Sequence, residues 1–303
     1  MNGTPPVSNV SVASVTAAAL VIARSPGYWQ TVWRRFRRDP VAVIAALVVL
    51  LLILMAILAP WIAPHDPLQG MTLRRLKPPG TEGFPLGTDE LGRDMLSRLI
   101  HGARISLVMG IVPVFFALFI GALTGIVAGY AGGWTNTVLM RTVDVFFAFP
   151  SVLLAVALAG ALGPGIFNGM LALTLVFIPP IARVAESVTT GVRTRDFVEA
   201  ARASGAGALT IIRRHVLGNV LGPIFVYAMS LIAVSMILAS GLSFLGLGVK
   251  PPQPDWGLML NTLRTAIYTQ PLLCALPGVM IFITSISFNI MTDGLRSAMD
   301  IKA

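Results

Sequence analysis

The chain has 303 residues, of which 55 % are hydrophobic and only 12 % are charged, and its mean hydropathy is +0.82. Because soluble domains carry about twice that share of charge, these values argue against a soluble globular protein and predict a membrane protein. The net charge of +9 would suggest nucleic acid in a soluble chain, but basic residues flanking membrane spans explain it more simply, so we expect no nucleic-acid partner. The single cysteine, Cys274, excludes an intrachain disulfide.

Residues 1–40 are predicted to be a cytoplasmic tail rather than a signal peptide. A cleavable signal peptide begins with a charged region and a short apolar run, but no Lys or Arg precedes Arg24. A basic group stands instead directly before the first long apolar run: Arg34, Arg35, Arg37 and Arg38. The tail is followed by a predicted transmembrane domain over residues 41–302.

Six apolar runs follow the tail. A helix needs about 20 apolar residues to cross the roughly 30 Å hydrocarbon core, and the fourth run is the shortest. The runs are Val41–Ala59 (with an interfacial end to Ile62), Ile105–Ala128, Val145–Leu162, Ile166–Ala182, Leu221–Leu245 and Leu272–Met291. The sequence therefore predicts an all-α integral membrane protein with six transmembrane helices.

The basic residues indicate the orientation of these spans. With the N-terminus inside, the cytoplasmic segments hold fourteen Lys and Arg and the outer segments eight, which together make the 22 of the chain. Cytoplasmic loops carry the excess of such residues. We therefore expect both termini in the cytoplasm, an outer loop over residues 63–103, and a cytoplasmic segment over residues 193–219.

Glycines recur at every fourth position in the second span, at Gly121, Gly125 and Gly129. Residues at this spacing lie on one helix face, where glycine lets another backbone approach closely. The spacing fits packing against a helix of the same chain and also fits a subunit interface.

The sequence argues against catalysis and against a metal site. No lysine follows a glycine or precedes Ser or Thr, so the chain has no phosphate-binding loop of the G-x-x-x-x-G-K-[ST] type. The three histidines lie far apart and lack ligand spacing. Asp94 and Arg98, one turn apart, indicate a helix start and a salt bridge rather than a catalytic carboxylate.

The predicted spans lack charge, which bears on the source of energy. Residues 105–140, 145–182, 215–249 and 265–292 contain no Asp, Glu, Lys or Arg, whereas ion-coupled transporters often place such groups near the membrane midplane. At the span boundaries we expect local ion pairs, Arg141 with Asp144 and Arg183 with Glu186. If the chain transports a solute uphill, its energy is expected to come from another protein.

Segment 193–219 places a group of charged residues between two apolar runs. Asp196 and Glu199 predict a capping box for a helix from Asp196 to Ser204, and Gly205 is expected to end that helix in the left-handed conformation. Residues 208–217 are expected to begin a second short helix leading to the fifth span.

One face of the first short helix is predicted to hold small residues and one aromatic ring: Phe197, Ala200, Ala201 and Ser204. Such a helix–turn–helix can dock into a groove of another protein. It can equally lie on the lipid surface with its arginines facing headgroups.

Two sequence stretches in this segment, EAARASGAG and RRHVLGN, resemble the cytoplasmic EAA signature of permease subunits in bacterial ATP-binding-cassette (ABC) importers. Glu199, Ala200, Ala201 and Gly205 match the signature, whereas Gly218 stands where the family has proline. Three further stretches are similar to the C-type permease of dipeptide/oligopeptide importers: PLGTDELGRDMLSRLIHGARISL, GLSFLGLGVKPPQPDWGLML and DGLRSAMDIK. The resemblance covers roughly residues 30–302.

The resemblance implies a type I ABC importer permease fold with a cytoplasmic coupling-helix loop. Such a chain forms half of a translocation pathway and works with a homologous second permease, two P-loop ATPases and an extracellular substrate-binding protein, within membrane lipid. ATP and magnesium are expected in the ATPases and no cofactor in this chain. The residues implied in coupling to the ATPases are Asp196, Phe197, Glu199, Ala200, Ala201 and Gly205.

The outer loop has two interpretations under this resemblance. Thr88–His101 could form an amphipathic helix beneath the binding protein, with Arg93 and Arg98 meeting acidic groups. Alternatively the same helix braces the ends of the first two spans, which is favoured by the near-helical spacing of four apolar residues, Leu91, Met95, Leu96 and Leu99.

The cargo is expected to be di- or oligopeptides, with a nickel complex or another small solute as the alternative within the family. Uncharged spans fit a passage that does not hold its cargo tightly. A stand-alone secondary carrier and a membrane anchor that only recruits partners are the remaining alternatives.

Overall fold

The structure, a computed structural model, describes residues 27–299, so most of the predicted tail and residues 300–303 lie outside it. The described residues are helical almost throughout, with two isolated bridges and no strand. The helices are α1 (Tyr28–Phe36), α2 (Pro40–Ile62), α3 (Met95–Ala131), α4 (Gly133–Phe147), α5 (Ser151–Leu162), α6 (Ile166–Arg193), α7 (Asp196–Ala203), α8 (Ala208–Ile211), α9 (Leu217–Phe244), α10 (Trp256–Leu263) and α11 (Pro271–Met299), with 3₁₀ turns at Thr72–Arg74 and Arg264–Ala266.

Five helical stretches are long and apolar enough to cross a membrane: α2, α3, α6, the stretch Ala208–Phe244, and α11. The third predicted span differs, because α4 and α5 meet at a bend of 86°. Pro150 explains the break, since proline has no N–H and disfavours the helical conformation of the residue before it. The prediction of one continuous helix over Val145–Leu162 is therefore wrong. Within residues 27–299, length and composition give up to six spans, with the bent pair counted as one.

Helix α3 begins ten residues before the predicted start of the second span, at Met95 rather than Ile105. The helix predicted over Thr88–His101 is present only from Met95 onward. Gly92 has a φ of +75°, and the Asp94 carboxylate accepts a hydrogen bond from the N–H of Ser97 at 2.9 Å, so the chain enters the helix only after Asp94. The non-helical part of the predicted outer loop is therefore residues 63–94, called loop 63–94 below.

Helices α3 and α6 pack closely along their length because the three glycines of α3 face α6. A Cβ added at Gly121 would lie 2.9 Å from the carbonyl oxygen of Ile178, one at Gly125 would lie 2.8 Å from the nitrogen of Glu186, and one at Gly129 would lie 2.7 Å from the carbonyl oxygen of Glu186. A side chain at any of the three would force the helices apart. This glycine face is used for packing within the chain.

Two charged residues of α6, Arg183 and Glu186, bond to side chains of α4 rather than to each other. Arg183 donates to Asp144, and Glu186 accepts from the side-chain amide of Asn136 at 2.7 Å. The predicted local pairs of Arg141 with Asp144 and of Arg183 with Glu186 are therefore wrong. The bend after α4 lays that helix beside α6, so the partner on the neighbouring helix is the one that each side chain meets.

Candidate coupling site and the buried network of loop 63–94

Segment 193–219 joins the end of α6 to the start of α9. The Arg195 carbonyl accepts hydrogen bonds from the N–H groups of Val198 (2.9 Å) and Glu199 (3.2 Å), which makes Arg195 the N-cap of α7. The predicted capping box of Asp196 and Glu199 is therefore wrong, because Asp196 is already the first helical residue and no side chain caps the helix. Both carboxylates instead lie in the first turn, where the positive end of the helix dipole favours them.

The predicted left-handed end of this helix is confirmed. Gly205 has a φ of +79°, and its N–H donates to the Arg202 carbonyl at 3.0 Å. The N–H of Ala206 donates to the Ala201 carbonyl at 3.1 Å. These two bonds form a complete Schellman motif, so the turn after α7 has a defined geometry.

Helix α7 is anchored by one side chain. Val198 is fully buried, and Ala201, one turn later, is half-buried on the same side. Phe197, Ala200, Ala201 and Ser204 lie on one side of the helix, as their i, i+3, i+4 and i+7 spacing predicts, and of the four only Ala201 is half-buried. The exposed residues of the first turns are Asp196, Phe197, Glu199 and Ala200. They present two carboxylates, one ring and a small residue outward.

Three buried residues in and near this segment were not singled out from the sequence: Val198, Ile211 and Val216. They hold the segment to the bundle, and the rings of Phe197 and His215 lie 6.4 Å apart between their centroids. The sequence pattern predicts their burial only weakly, because isolated apolar residues in a charged segment do not form a complete helical period.

The second short helix over residues 208–217 is continuous with the fifth span. Helix α8 passes through a π-helical turn, Ile212–Val216, into α9. Such turns widen a helix locally and are frequent at functional sites. Gly218, the departure from the family's proline, follows this turn, and an added Cβ there would meet nothing within 4 Å.

Arg93 and Arg98 are both buried in a charged network of loop 63–94. The Nε of Arg93 donates to Asp89 at 2.6 Å, and its Nη2 donates to Glu90 at 3.3 Å. The Nε of Arg98 lies 3.2 Å from the same Asp89 carboxylate without the alignment of a hydrogen bond. The predicted salt bridge of Arg98 with Asp94 is therefore wrong. Asp94 is occupied by the hydroxyl of Ser97 at 2.6 Å.

Arg98 also joins two distant loops. Its Nη1 donates to the carbonyl of Pro67 at 3.0 Å and lies 3.4 Å from that of Pro252. Neither guanidinium is available at the surface, so Arg93 and Arg98 lie where bracing requires them and not where a docking protein would meet them.

A second buried network stands beside the first, around Asp255, the N-cap of α10. Asp255 accepts hydrogen bonds from the Ser106 hydroxyl (2.7 Å) and from the N–H of Leu258 (3.0 Å), and the Trp256 indole N–H donates to the Leu99 carbonyl at 3.0 Å. Burial raises the pKa of the Asp255 carboxyl, while hydrogen bonds from Ser106 and Leu258 partly oppose that shift. The network ties α10 to α3.

Among the described residues 27–299, no group of three His, Cys, Asp or Glu side chains could hold a metal ion.

Two family models match the chain. The model described as "Binding-protein-dependent transport system inner membrane component" matches residues 121–302, and that described as "N-terminal TM domain of oligopeptide transport permease C" matches residues 27–79. The glutathione transport system permease protein GsiD of Pectobacterium atrosepticum is 42 % identical over 274 residues, which cover 90 % of this chain and 91 % of the relative. GsiD of Escherichia coli O6:K15:H31 is 43 % identical over 274 residues, 90 % of each chain.

Solved structures show the same fold. Two inward-facing crystal forms of the MetNI methionine ABC transporter match with TM-scores of 0.56 and 0.57, at 20 % identity, covering 67 % of this chain and 97 % of that chain. With a family model matched over more than half of its length and relatives more than 40 % identical over nine tenths of it, the chain belongs to the binding-protein-dependent transport system inner membrane components, the non-catalytic permease subunits of ABC importers.

Proposed function

We propose that this chain is the C-type permease of an ATP-driven peptide importer, forms half of its translocation pathway, and receives the motion of separate ATPases through segment 193–219. The observation that carries the coupling role is the geometry of α7. The helix has a defined start and end and is anchored by Val198, while it presents Asp196, Phe197, Glu199 and Ala200 outward. A short helix held in this way suits docking into a cleft of another protein.

The position of α7 supports a mechanical role. It lies between the end of α6, a 28-residue helix, and the start of the 37-residue stretch Ala208–Phe244. At 1.5 Å per residue these are about 40 and 55 Å long, enough to cross the membrane. A push on α7 is therefore applied directly to the ends of two spans. The glycine packing of α3 on α6 would transmit this push to a third span, α3.

The partners follow from the family and are part of the proposal. We infer a second permease that completes the pathway, two P-loop ATPases that bind ATP and magnesium, and an extracellular substrate-binding protein. Segment 193–219 and both termini would then lie in the cytoplasm, as the distribution of Lys and Arg favours. Loop 63–94 would lie on the outer side of the membrane.

The cargo that we propose is a small peptide. The relatives at 42–43 % identity are named as glutathione permeases, and the N-terminal family model is named for oligopeptide transport. These names favour a peptide over the nickel complex that the family resemblance left open. A stand-alone carrier is disfavoured by the family description, which names a transport system dependent on a binding protein.

The test is reconstitution of the importer from this chain and the proteins that co-purify with it in mild detergent. Recovery of a second six-span permease and P-loop ATPases, and ATP-dependent uptake of glutathione or dipeptides into proteoliposomes, is the expected result. Uptake by this chain alone, without any ATPase, would contradict the proposal. Uptake of nickel but of no peptide would overturn the cargo while leaving the coupling role intact.

A further inference from the structure

Loop 63–94 contains an exposed stretch around the 3₁₀ turn Thr72–Arg74, residues 71–77, which we call the basic strap. Three cations stand within it, Arg74, Arg75 and Lys77, and no acidic residue occurs from position 67 to position 81. All three are exposed, and Leu73 between them is 89 % exposed. The strap therefore combines a positive surface with a protruding apolar side chain.

The strap is fixed firmly to the rest of the loop. The N–H of Leu76 donates to the Asp89 carbonyl at 3.0 Å, the N–H of Lys77 donates to the hydroxyl of the fully buried Thr88 at 2.9 Å, and the N–H of Thr88 donates to the Lys77 carbonyl at 3.1 Å. Thr88 also donates its hydroxyl to the Arg74 carbonyl. The backbone of the strap is thus bonded on both sides of its basic residues.

Backbone conformation and close approach add to this rigidity. Leu76 has a φ of +51°, the one positive value for a residue other than glycine among residues 27–299, and such strain persists only where the surroundings impose it. A Cβ at Gly92 would lie 2.8 Å from the carbonyl carbon of Met71, so the start of the strap rests directly on a glycine. A strained, fixed and exposed surface is typical of a preformed binding site.

The cations below the strap form ion pairs within the protein, whereas those on it do not. Arg93 and Arg98 are paired with Asp89 and Glu90 inside the loop. None of the ion pairs in residues 27–299 involves a strap cation, although the Arg74 guanidinium lies 5.3 Å from the centre of the Phe84 ring. The strap itself therefore presents a positive surface, whereas Asp66 and Glu82 are the exposed acids elsewhere in loop 63–94.

The height of the strap favours a protein over lipid headgroups. It is bonded to residues 88–89, which precede Met95, and α3 needs ten residues, about 15 Å, to reach the charge-free stretch at Ile105. A headgroup layer is roughly 5–8 Å thick. A fluid lipid surface also gains nothing from a strained, fixed backbone.

We propose that the basic strap is a docking surface for an acidic patch on the extracellular substrate-binding protein, with Leu73 entering a shallow apolar recess beside it. This inference rests on the proposed function, which supplies the binding protein and places the strap outside. It moves the contact away from Arg93 and Arg98, which are buried beneath it.

The experiment uses the whole importer in nanodiscs and the substrate-binding protein that stimulates its ATP hydrolysis. The variant is Arg75→Glu with Lys77→Glu, which leaves the contact of Arg74 with Phe84 intact. We expect the Kd for docking to rise at least tenfold at low salt, and its dependence on ionic strength to disappear. The matched control is Glu82→Gln, an exposed acid of the same loop, for which docking should stay equal or become tighter.

A second variant, Leu73→Ser, tests the apolar contact separately, because it keeps every charge of the strap. It should weaken docking several-fold without changing the dependence of the Kd on salt. Melting temperature and basal ATP hydrolysis should match the wild type in all variants. Unchanged docking by the charge-reversed importer would overturn the inference, and a shift instead in its dependence on anionic lipid would assign the strap to headgroups. Wild-type ATP hydrolysis that no binding protein stimulates would overturn the proposed function and this inference together.

Discussion

The packing of α3 on α6 can be tested by adding one methyl group at Gly125. The new Cβ would lie 2.5 Å from the Cβ of Ala185 and 2.8 Å from the backbone nitrogen of Glu186. Non-bonded carbons prefer about 3.5–4.0 Å, so the two helices must separate by about 1 Å. Overpacking of this kind costs about 1–3 kcal/mol, and we expect Gly125→Ala to lower the melting temperature accordingly.

The single cysteine provides the assay. Cys274 is partly buried on α11 and its thiol donates to the Leu263 carbonyl at 3.0 Å, so a thiol-reactive fluorophore should label it as the bundle unfolds. The matched controls are Gly160→Ala and Gly191→Ala, both in helices where an added Cβ meets nothing within 4 Å. In these controls the better helix propensity of alanine should leave stability unchanged or raise it by up to about 1 kcal/mol.

The separation of α3 and α6 should also affect transport. Because α6 ends at the segment that carries α7, Gly125→Ala should lower ATP-driven uptake more than ATPase binding. Melting and uptake of Gly125→Ala that match those of Gly191→Ala would refute the argument that the glycine face sets the distance between α3 and α6.

Substitutions at three further positions test the coupling segment and the buried carboxyl. Glu199→Lys should weaken recruitment of the ATPases in a pull-down, because it reverses an exposed charge on α7, and Glu199→Gln should have an intermediate effect. Wild-type recruitment and uptake in Glu199→Lys would count against docking at α7. Gly205→Val should reduce coupled ATP hydrolysis, because a valine at φ +79° is strained by about 1–2 kcal/mol or more, and Gly205→Asn should reduce it less. Coupled hydrolysis equal to that of the wild type in Gly205→Val would mean that the left-handed turn is not needed. Because burial raises the pKa of Asp255, its stabilising contribution is present below the ordinary carboxyl pKa and is lost as the pH rises through the raised pKa. Tryptophan-fluorescence melts should therefore depend less on pH in Asp255→Asn, and identical profiles would contradict this.

The long apolar helices could be predicted from the sequence because a span has a minimum length and excludes charge. The end of α7 at Gly205 could be predicted for a similar local reason, since a left-handed position favours glycine strongly. In both cases the information lies within one short stretch of chain.

The errors concern the choice of partners across the fold. Asp144 and Arg141 are three residues apart and looked like a pair, but the bend at Pro150 lays α4 beside α6, where Arg183 is the partner. Arg98 was expected to meet Asp94 along its own helix, but the folding of loop 63–94 brings Asp89 to it. Local spacing says nothing about such long-range approaches.

Two of the places where the described helices depart from regular geometry lie beside each other. Phe147, Phe149 and Ser151, at the bend between α4 and α5, face Pro179 and Pro180 of α6 across a groove of about 270 Å³. The two prolines leave the carbonyls four residues earlier without their helical hydrogen bonds, so α6 resists bending least at this level.

The stretch of α6 after these prolines is the part packed on the glycine face of α3 and joined to α7. A displacement of α7 is therefore expected to move this stretch together with α3, while α6 bends at Pro179 and Pro180. Because α4 and α5 face these prolines, the bending of α6 would displace the bent third span. The irregular third span would thus be the place where the mechanism permits motion.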